Sequence, residues 1–186
     1  MERGVSCYRI SPIRKNKFGQ IWVETVIYTL IGLAIIGIVL GVAKPQIDKK
    51  KSEIIIQQSI ESMQNIDIKV VEALSASGNQ RVVDLKISEG NLFFDLDNNS
   101  IYWVLNSKFE YSEEGVPISV GLLTVTTTNS AGWKVKIERK YDLNLTFDGK
   151  STGVKEVNSA PTPYKIVIEN NGKDSDGNII IDFRAA

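Results

Sequence analysis

The strongest constraint in this sequence is an uninterrupted apolar stretch near its beginning. The residues from Thr25 to Ala43 carry no charge, and their only polar side chains are those of Thr25, Tyr28 and Thr29. As an α-helix rising about 1.5 Å per residue, this stretch spans roughly 28 Å, close to the thickness of a bilayer core. Trp22 precedes it at a position that suits an interfacial indole ring. The sequence therefore predicts a single membrane-spanning helix.

The charges around this stretch are unevenly distributed. Residues 1–19 contain five basic side chains and one acidic one, whereas the whole chain has a net charge of zero. A basic leader before an apolar helix is typical of a topogenic or cleaved N-terminus. Glu24 lies just inside the apolar region, and a carboxylate at the centre of a membrane helix costs about 2.5–3.5 kcal/mol. Its presence predicts a specific partner for this carboxylate.

A second helical pattern follows Lys44. Pro45 lacks a backbone N–H, so we expect it to kink or locally break the helix where the chain leaves the membrane. Beyond it, apolar residues recur at steps of three and four, which predicts one buried stripe on a helix that ends near Ser75. The stripe consists of Ile56, Ile60, Met63, Ile66, Val70 and Leu74.

After Gly78 the hydrophobic period changes to two, which indicates half-buried β-strands. Alternating segments occur around residues 83–87, 133–137, 143–147 and 164–168, and Thr124–Asn129 is expected to form a strand with a polar face. Turn sequences separate the strands at residues 97–100, 148–149, 171–172 and 176–177, and residues 164–183 suggest a final hairpin. The predicted fold class is α+β: one long N-terminal helix followed by an antiparallel, β-sandwich-like domain over residues 76–186.

The composition argues against catalysis. The chain has no histidine, and its one cysteine, Cys7, permits no intrachain disulfide. The acidic segment Asp174–Asn178 has alternate oxygen side chains but lacks the glycine and glutamate of a calcium loop, so we expect a solvated hairpin tip. We predict no enzyme activity, no cofactor, no metal site and no nucleic-acid partner. Two N-x-[ST] triplets make Asn98 and Asn144 candidate N-glycosylation sites if this domain is displayed outside the cell.

A cut between Gly19 and Gln20 gives Glu24 a partner. It leaves an α-amino group on Gln20, at one end of the apolar helix. In a bundle of axially offset helices, this cation of one subunit can meet the Glu24 carboxylate of its neighbour. Each ion then offsets the desolvation of the other, and a misaligned subunit keeps an unpaired carboxylate. Glu24 is therefore predicted to set the register of assembly.

The stretch from Lys15 to Gly41 resembles the class III signal peptide of archaeal type IV pilins. In that family, a basic leader ends in a small residue, a prepilin peptidase cuts, glutamine follows, and glutamate is the fifth mature residue. Gly19, Gln20 and Glu24 stand at the matching positions here. The resemblance implies a cleaved leader over residues 1–19 and a long helix over residues 20–75, of which residues 20–43 form the membrane anchor.

The resemblance also implies a function. The precursor would be a single-pass protein of the cytoplasmic membrane, processed by prepilin peptidase. The mature chain would be a structural subunit, polymerised through its N-terminal helix by a pilus assembly platform. The resulting homo-oligomer would be a helical surface filament with a possible role in adhesion. Gly32, Gly37 and Gly41 would allow close helix packing, since Gly37 and Gly41 have the G-x-x-x-G spacing.

Two other interpretations use the same residues. Gly41 and Ala43 are small residues at the positions that a signal peptidase recognises, and such a cut would release a soluble domain that begins at Lys44. Alternatively, the helix is a permanent anchor, and the β domain is an extracellular binding module that does not polymerise. Aromatic residues such as Tyr102, Trp103 and Trp133 are candidates for a binding face, although core packing is the preferred explanation for most of them.

Overall fold

The computed structural model describes the backbone of residues 17–185 and the side chains of residues 22–185. Most of the predicted leader, residues 1–16, lies outside the described residues. Within the described part, one helix precedes ten strands. They are α1 (Lys17–Ala73), β1 (Gln80–Leu85), β2 (Asn91–Asp95), β3 (Ser100–Ser107), β4 (Ile118–Val120), β5 (Leu123–Asn129), β6 (Trp133–Lys140), β7 (Asn144–Phe147), β8 (Val154–Asn158), β9 (Tyr164–Lys173) and β10 (Ile179–Ala185).

Helix α1 continues through Pro45, so the predicted break at this residue is not observed. Proline removes one helical hydrogen bond and crowds the carbonyl group four residues earlier, but its fixed φ is itself helical. The carbonyl affected is that of Gly41, which has no side chain to add to the crowding. The helix ends at Ala73, two residues before the predicted end, and the Leu74 N–H still donates to the Val70 carbonyl at 3.0 Å.

The chain divides into two units at Pro45. Of the first, residues 1–45, the structure describes only the N-terminal part of α1. The second, residues 46–186, contains the remainder of α1 and all ten strands.

The strands of the second unit form two sheets. One has the order β1-β9-β10-β7, and the other has the order β4-β5-β6-β3-β2-β8. All the pairings are antiparallel except that of β7 with β10, which is parallel. The α+β class is thus confirmed, with two sheets and one parallel exception to the antiparallel pattern.

The predicted stripe on α1 forms part of a single core. Ile56, Ile60, Met63, Ile66 and Val70 are buried in one cluster with the inward-facing side chains of both sheets, and Leu74 packs at its edge. The two sheets meet through aromatic rings. The ring centre of Phe94 on β2 lies 5.1 Å from that of Phe147 on β7 and 5.0 Å from that of Phe183 on β10. Apolar burial therefore joins the helix to both sheets.

The final hairpin is confirmed, and its turn lies at only one of the two predicted turn sequences. β9 and β10 pair antiparallel around a turn that contains Asp176 and Gly177. Asn171–Gly172 was expected to be a turn and is instead part of β9. Gly172 has a φ of +87°, and the register of β9 against β10 shifts nearby. A residue with positive φ inside a strand is typical of a β-bulge, in which glycine is favoured because it has no Cβ.

A buried carboxylate fixes the parallel edge of the smaller sheet. Asp182 on β10 is only 4% exposed. Its Oδ1 atom accepts hydrogen bonds from the Thr146 hydroxyl at 2.6 Å and from the Gly149 N–H at 2.9 Å. The turn at Asp148–Gly149, where both residues have positive φ, is thereby tied to the adjacent strand.

Met63→Ala tests the helix–sheet core. Met63 is 1% exposed, and truncation of such a side chain leaves a cavity, so we expect the free energy of unfolding to fall by about 2–5 kcal/mol. Gln64→Ala, on the exposed face of the same turn, is the control and should change it by less than about 0.5 kcal/mol. The measurement is denaturant unfolding of the detergent-solubilised chain, followed by the fluorescence of the buried Trp103. Equal effects of the two substitutions would contradict this packing.

Candidate processing and assembly site

The predicted cleavage bond lies in helical backbone. Gly19 and Gln20 belong to the first turn of α1 that the structure describes, and Glu24 follows one turn later on the same helix. The structure describes no side chain before Trp22. All three residues therefore lie on one continuous helix. Of the three, Glu24 is the one whose side chain the structure describes.

Glu24 belongs to a small polar patch at the start of the apolar segment. The Tyr28 hydroxyl donates to the Oε1 atom of Glu24 at 3.3 Å, and the Thr29 hydroxyl donates to the Thr25 carbonyl oxygen at 2.8 Å. Both pairs are four residues apart, a spacing that places side chains on the same helix face. In the sequence, Tyr28 is one of three polar side chains in the apolar stretch. Its spacing of four residues from Glu24 is the signal that could have identified it as a partner of this carboxylate.

The apolar side chains around this patch are all exposed. Every large hydrophobic residue between Trp22 and Val42 has between 38% and 72% of its surface accessible, and these residues point in all directions around the helix axis. This helix is long and apolar enough to cross a membrane, and it is the only such helix in the part of the chain that the structure describes. An N-terminal segment of this kind is compatible with a single-pass membrane anchor.

The three glycines of the apolar segment do not lie on one seam. At about 100° per residue, Gly37 and Gly41 face nearly the same way, whereas Gly32 lies about 140° from Gly37. A Cβ atom built on any of the three has no neighbour within 4 Å among the described residues. The fold of the single chain thus does not require glycine at these positions. A closely packed helix can use Gly37 and Gly41 together, and Gly32 only on another face.

Within residues 46–186, ion pairs join α1 to the connecting segments beside β2 and β3. Lys108 Nζ lies 2.7 Å from Asp48 Oδ2, and Lys51 Nζ lies 2.9 Å from Glu89 Oε1. The Glu89 carboxylate raises the pKa of Lys51 above its usual value of 10.5, mainly through this hydrogen bond. The stabilisation of the fold by the Lys51–Glu89 pair is therefore complete below pH 10.5 and is lost as the pH rises through the raised pKa of Lys51. Both pairs are largely solvent-exposed, so their contribution to the free energy of unfolding is small.

A more buried cluster lies farther along the helix. Arg139 Nε donates to Asp67 Oδ1 at 2.7 Å, and the Arg139 guanidinium lies 4.8 Å from the ring centre of Tyr141. Asp67 is 9% exposed and Tyr141 is 8% exposed. The Tyr141 hydroxyl lies near the Asp67 carboxylate but makes no well-formed hydrogen bond in the part of the chain that the structure describes. Burial, followed by the negative charge of Asp67, raises the pKa of Tyr141 far above 10.0.

The two candidate glycosylation sites differ in accessibility. Asn98 is exposed in the turn between β2 and β3, where its side-chain amide donates to Asp95 at 2.8 Å. Asn144 is only half-exposed, and its amide donates to Asp174 Oδ2 at 2.6 Å. The third residue of each triplet is buried: Ser100 is 1% exposed, and Thr146 is 8% exposed and hydrogen-bonded to Asp182.

The acidic segment Asp174–Asn178 forms the tip of the β9–β10 hairpin. The Oδ1 atom of Asp174 accepts from the backbone N–H groups of Asp176 and Asn178, both at 2.9 Å. Its Oδ2 atom accepts from Asn144. The Asp174 carboxylate therefore holds the turn and connects it to β7.

Two of the three aromatic candidates for a binding face, Trp103 and Tyr102, are engaged in the domain itself, whereas Trp133 on β6 is partly exposed. Trp103 is 1% exposed, and its indole N–H donates to the Glu89 carbonyl oxygen at 3.1 Å. The Tyr102 ring is stacked on Phe93, with ring centres 4.9 Å apart, and Lys136 Nζ lies 4.6 Å from its centre. Phe93 and Lys136 belong to the strands on either side of Tyr102. These contacts stabilise the larger sheet as cross-strand pairs.

Comparison with protein-family models, with curated proteins and with solved structures found no significant match to this chain.

Tyr141→Phe tests the buried cluster. At pH 7 we expect the free energy of unfolding to stay the same or rise by about 1 kcal/mol, because the substitution removes a buried hydroxyl that makes no well-formed hydrogen bond. Because the folded pKa of Tyr141 is raised above 10.0, its contribution to stability is present below pH 10 and is lost as the pH increases. The variant should therefore lose less stability than the unsubstituted chain between pH 9 and pH 11. Identical losses in denaturant unfolding at these pH values would contradict this assignment.

N-glycosylation should occur at Asn98 and not at Asn144, because the Asn98 side chain is exposed whereas that of Asn144 is only half-exposed. The measurement is glycopeptide mass spectrometry of the chain from a host that N-glycosylates its surface proteins. Asn98→Gln should remove the glycan, and Asn144→Gln should leave its mass unchanged. A glycan on Asn144, or none on Asn98, would show that exposure in the folded domain does not determine which site is used.

Proposed function

We propose that this chain is a structural subunit of an archaeal type IV pilus-like surface filament. A prepilin peptidase would cut between Gly19 and Gln20, and the mature subunits would polymerise through the N-terminal part of α1. The single observation that carries the proposal is the combination in that segment: an apolar helix exposed on all sides, with one carboxylate on the fifth residue after a Gly-Gln bond.

The exposed apolar side chains of this segment are suited to two environments, one in the precursor and one in the filament. Large apolar side chains on every face of a helix are stable in lipid or against similar helices. The membrane would surround this segment in the precursor, and the same segments of other subunits would surround it in the filament. The domain of residues 46–186 would then form the outer part of the filament and determine what it contacts.

Glu24 would set the alignment of the subunits. In the filament, its carboxylate would lie next to the α-amino group of Gln20 on a neighbouring chain. An ion pair in an apolar surrounding is sensitive to the loss of one partner, since the remaining charge is buried without compensation. This sensitivity favours one axial offset between neighbouring subunits over all others.

Glu24→Ala and Glu24→Gln test the proposal. Both should reduce the yield of sheared surface filaments at least tenfold, because the α-amino group of the neighbouring subunit loses its partner. Membrane insertion of the chain should be retained, since a charged side chain is removed from the apolar segment. Glu61→Gln, which neutralises an exposed carboxylate elsewhere on α1, is the control and should leave the filament yield unchanged.

Filaments or oligomers that persist unchanged in both Glu24 variants would contradict the register role. A chain that remains monomeric in the membrane with or without Glu24 would instead support the alternative of a permanently anchored binding module.

A further inference from the structure

The contact between Tyr28 and Glu24 concerns a stage that precedes assembly. A newly inserted subunit has no neighbour to provide an α-amino group, yet its carboxylate already lies at the edge of the apolar segment. The Tyr28 hydroxyl donates to Glu24 Oε1 within the same chain. We propose that Tyr28 is a positioning residue, which holds the Glu24 carboxylate in the membrane until a neighbouring subunit provides the second partner.

The helix geometry explains why a tyrosine at this position reaches the carboxylate. Side chains on an α-helix lean toward its N-terminus, so that residue i+4 extends back over residue i. Tyr28 is four residues after Glu24, and its rigid ring carries a hydroxyl at its far end. No rotation of the backbone is needed to bring the donor to the acceptor.

Among the described residues after Thr25, Thr29 does not provide an equivalent donor. The Thr29 hydroxyl donates to the Thr25 carbonyl oxygen at 2.8 Å, which is a local backbone contact. Beyond Thr29, the segment to Ala43 contains no polar side chain. Within the described part of the apolar segment, the side chain observed to donate to the Glu24 carboxylate is that of Tyr28.

The contact is compatible with later assembly. A carboxylate accepts several hydrogen bonds through its two oxygens, so one donor at Oε1 does not prevent a second donor from binding. Tyr28 would also limit the rotamers of Glu24 and so reduce the conformational entropy lost when the neighbouring amine arrives. The assembly step of this inference rests on the proposed function, whereas the pairing within the membrane does not.

The test is a double-mutant cycle on the insertion of the full chain. The chain is synthesised in the presence of lipid vesicles, and the ratio of inserted to non-inserted chain is measured by resistance to alkaline extraction. The variants are Tyr28→Phe, Glu24→Gln and their combination. Phenylalanine is more apolar than tyrosine, so in the Glu24→Gln background Tyr28→Phe should raise the ratio.

In the background that retains Glu24, the same substitution should lower the ratio by about three- to tenfold, because the carboxylate loses a hydrogen bond of the charge-assisted kind. Thr29→Val is the matched control. It removes a hydroxyl that contacts backbone, and its effect should be the same in both backgrounds. An increase with Tyr28→Phe in both backgrounds would overturn the inference.

A second measurement separates this inference from the proposed function. In a host that assembles filaments, Tyr28→Phe should reduce the ratio of assembled to processed, membrane-bound subunit, whereas Thr29→Val should not. Coupling between Tyr28 and Glu24 during insertion without any filaments would contradict the proposed function alone. Filaments formed without such coupling would contradict the inference alone.

Discussion

The apolar surface of α1 between Trp22 and Val42 is the constraint on which the account depends. These side chains are exposed on every face of the helix, so the free energy of this segment is determined by what surrounds it. Water is the least favourable surrounding, and lipid or similar helices are the favourable ones. A charged group in this segment acts against that preference unless it is paired. The proposed assembly therefore depends on the pairing of one side chain, that of Glu24.

The second part of α1 solves a different problem with the same backbone geometry. From Ile56 to Ala73 most of its apolar side chains occupy one stripe, which the two sheets bury, whereas Ile68 and Val71 are exposed. The opposite face is mainly polar, as expected for a helix at a domain surface. The change in pattern from apolar on all sides to apolar on one side occurs after Pro45. One continuous helix can thus serve an assembly in its first part and a folded domain in its second.

Several features followed directly from local sequence patterns. The stripe Ile56–Val70 predicted the buried helix face, and alternation around Val135 and Ile166 predicted strands, because side-chain period depends only on backbone geometry. The turn at Asp176–Gly177 was also identified. Gly172 was misassigned because a glycine with positive φ occurs in bulges as well as in turns.

Features that depend on distant residues could not be obtained in this way. Asp67 and Arg139 are separated by 72 positions along the chain, and no local pattern pairs them. The parallel pairing of β7 with β10 likewise depends on the arrangement of the whole sheet. In the candidate site, the sequence motif predicts roles for Gly19, Gln20 and Glu24. The role of Tyr28 required the geometry of the side chains.

The proposed processing gives a mature chain that begins inside the helix, with a free amine close to Glu24. The most direct test is the intact mass and N-terminal sequence of the protein recovered from native membranes or surface filaments. The proposed processing predicts a chain that starts at Gln20 and keeps a free α-amino group. A pyroglutamate at this position would show the same cut but would remove the cation that pairs with Glu24. A chain that starts at Lys44 would contradict this processing and indicate a secreted domain, and an uncut chain that starts at Met1 would contradict it and indicate a permanent anchor.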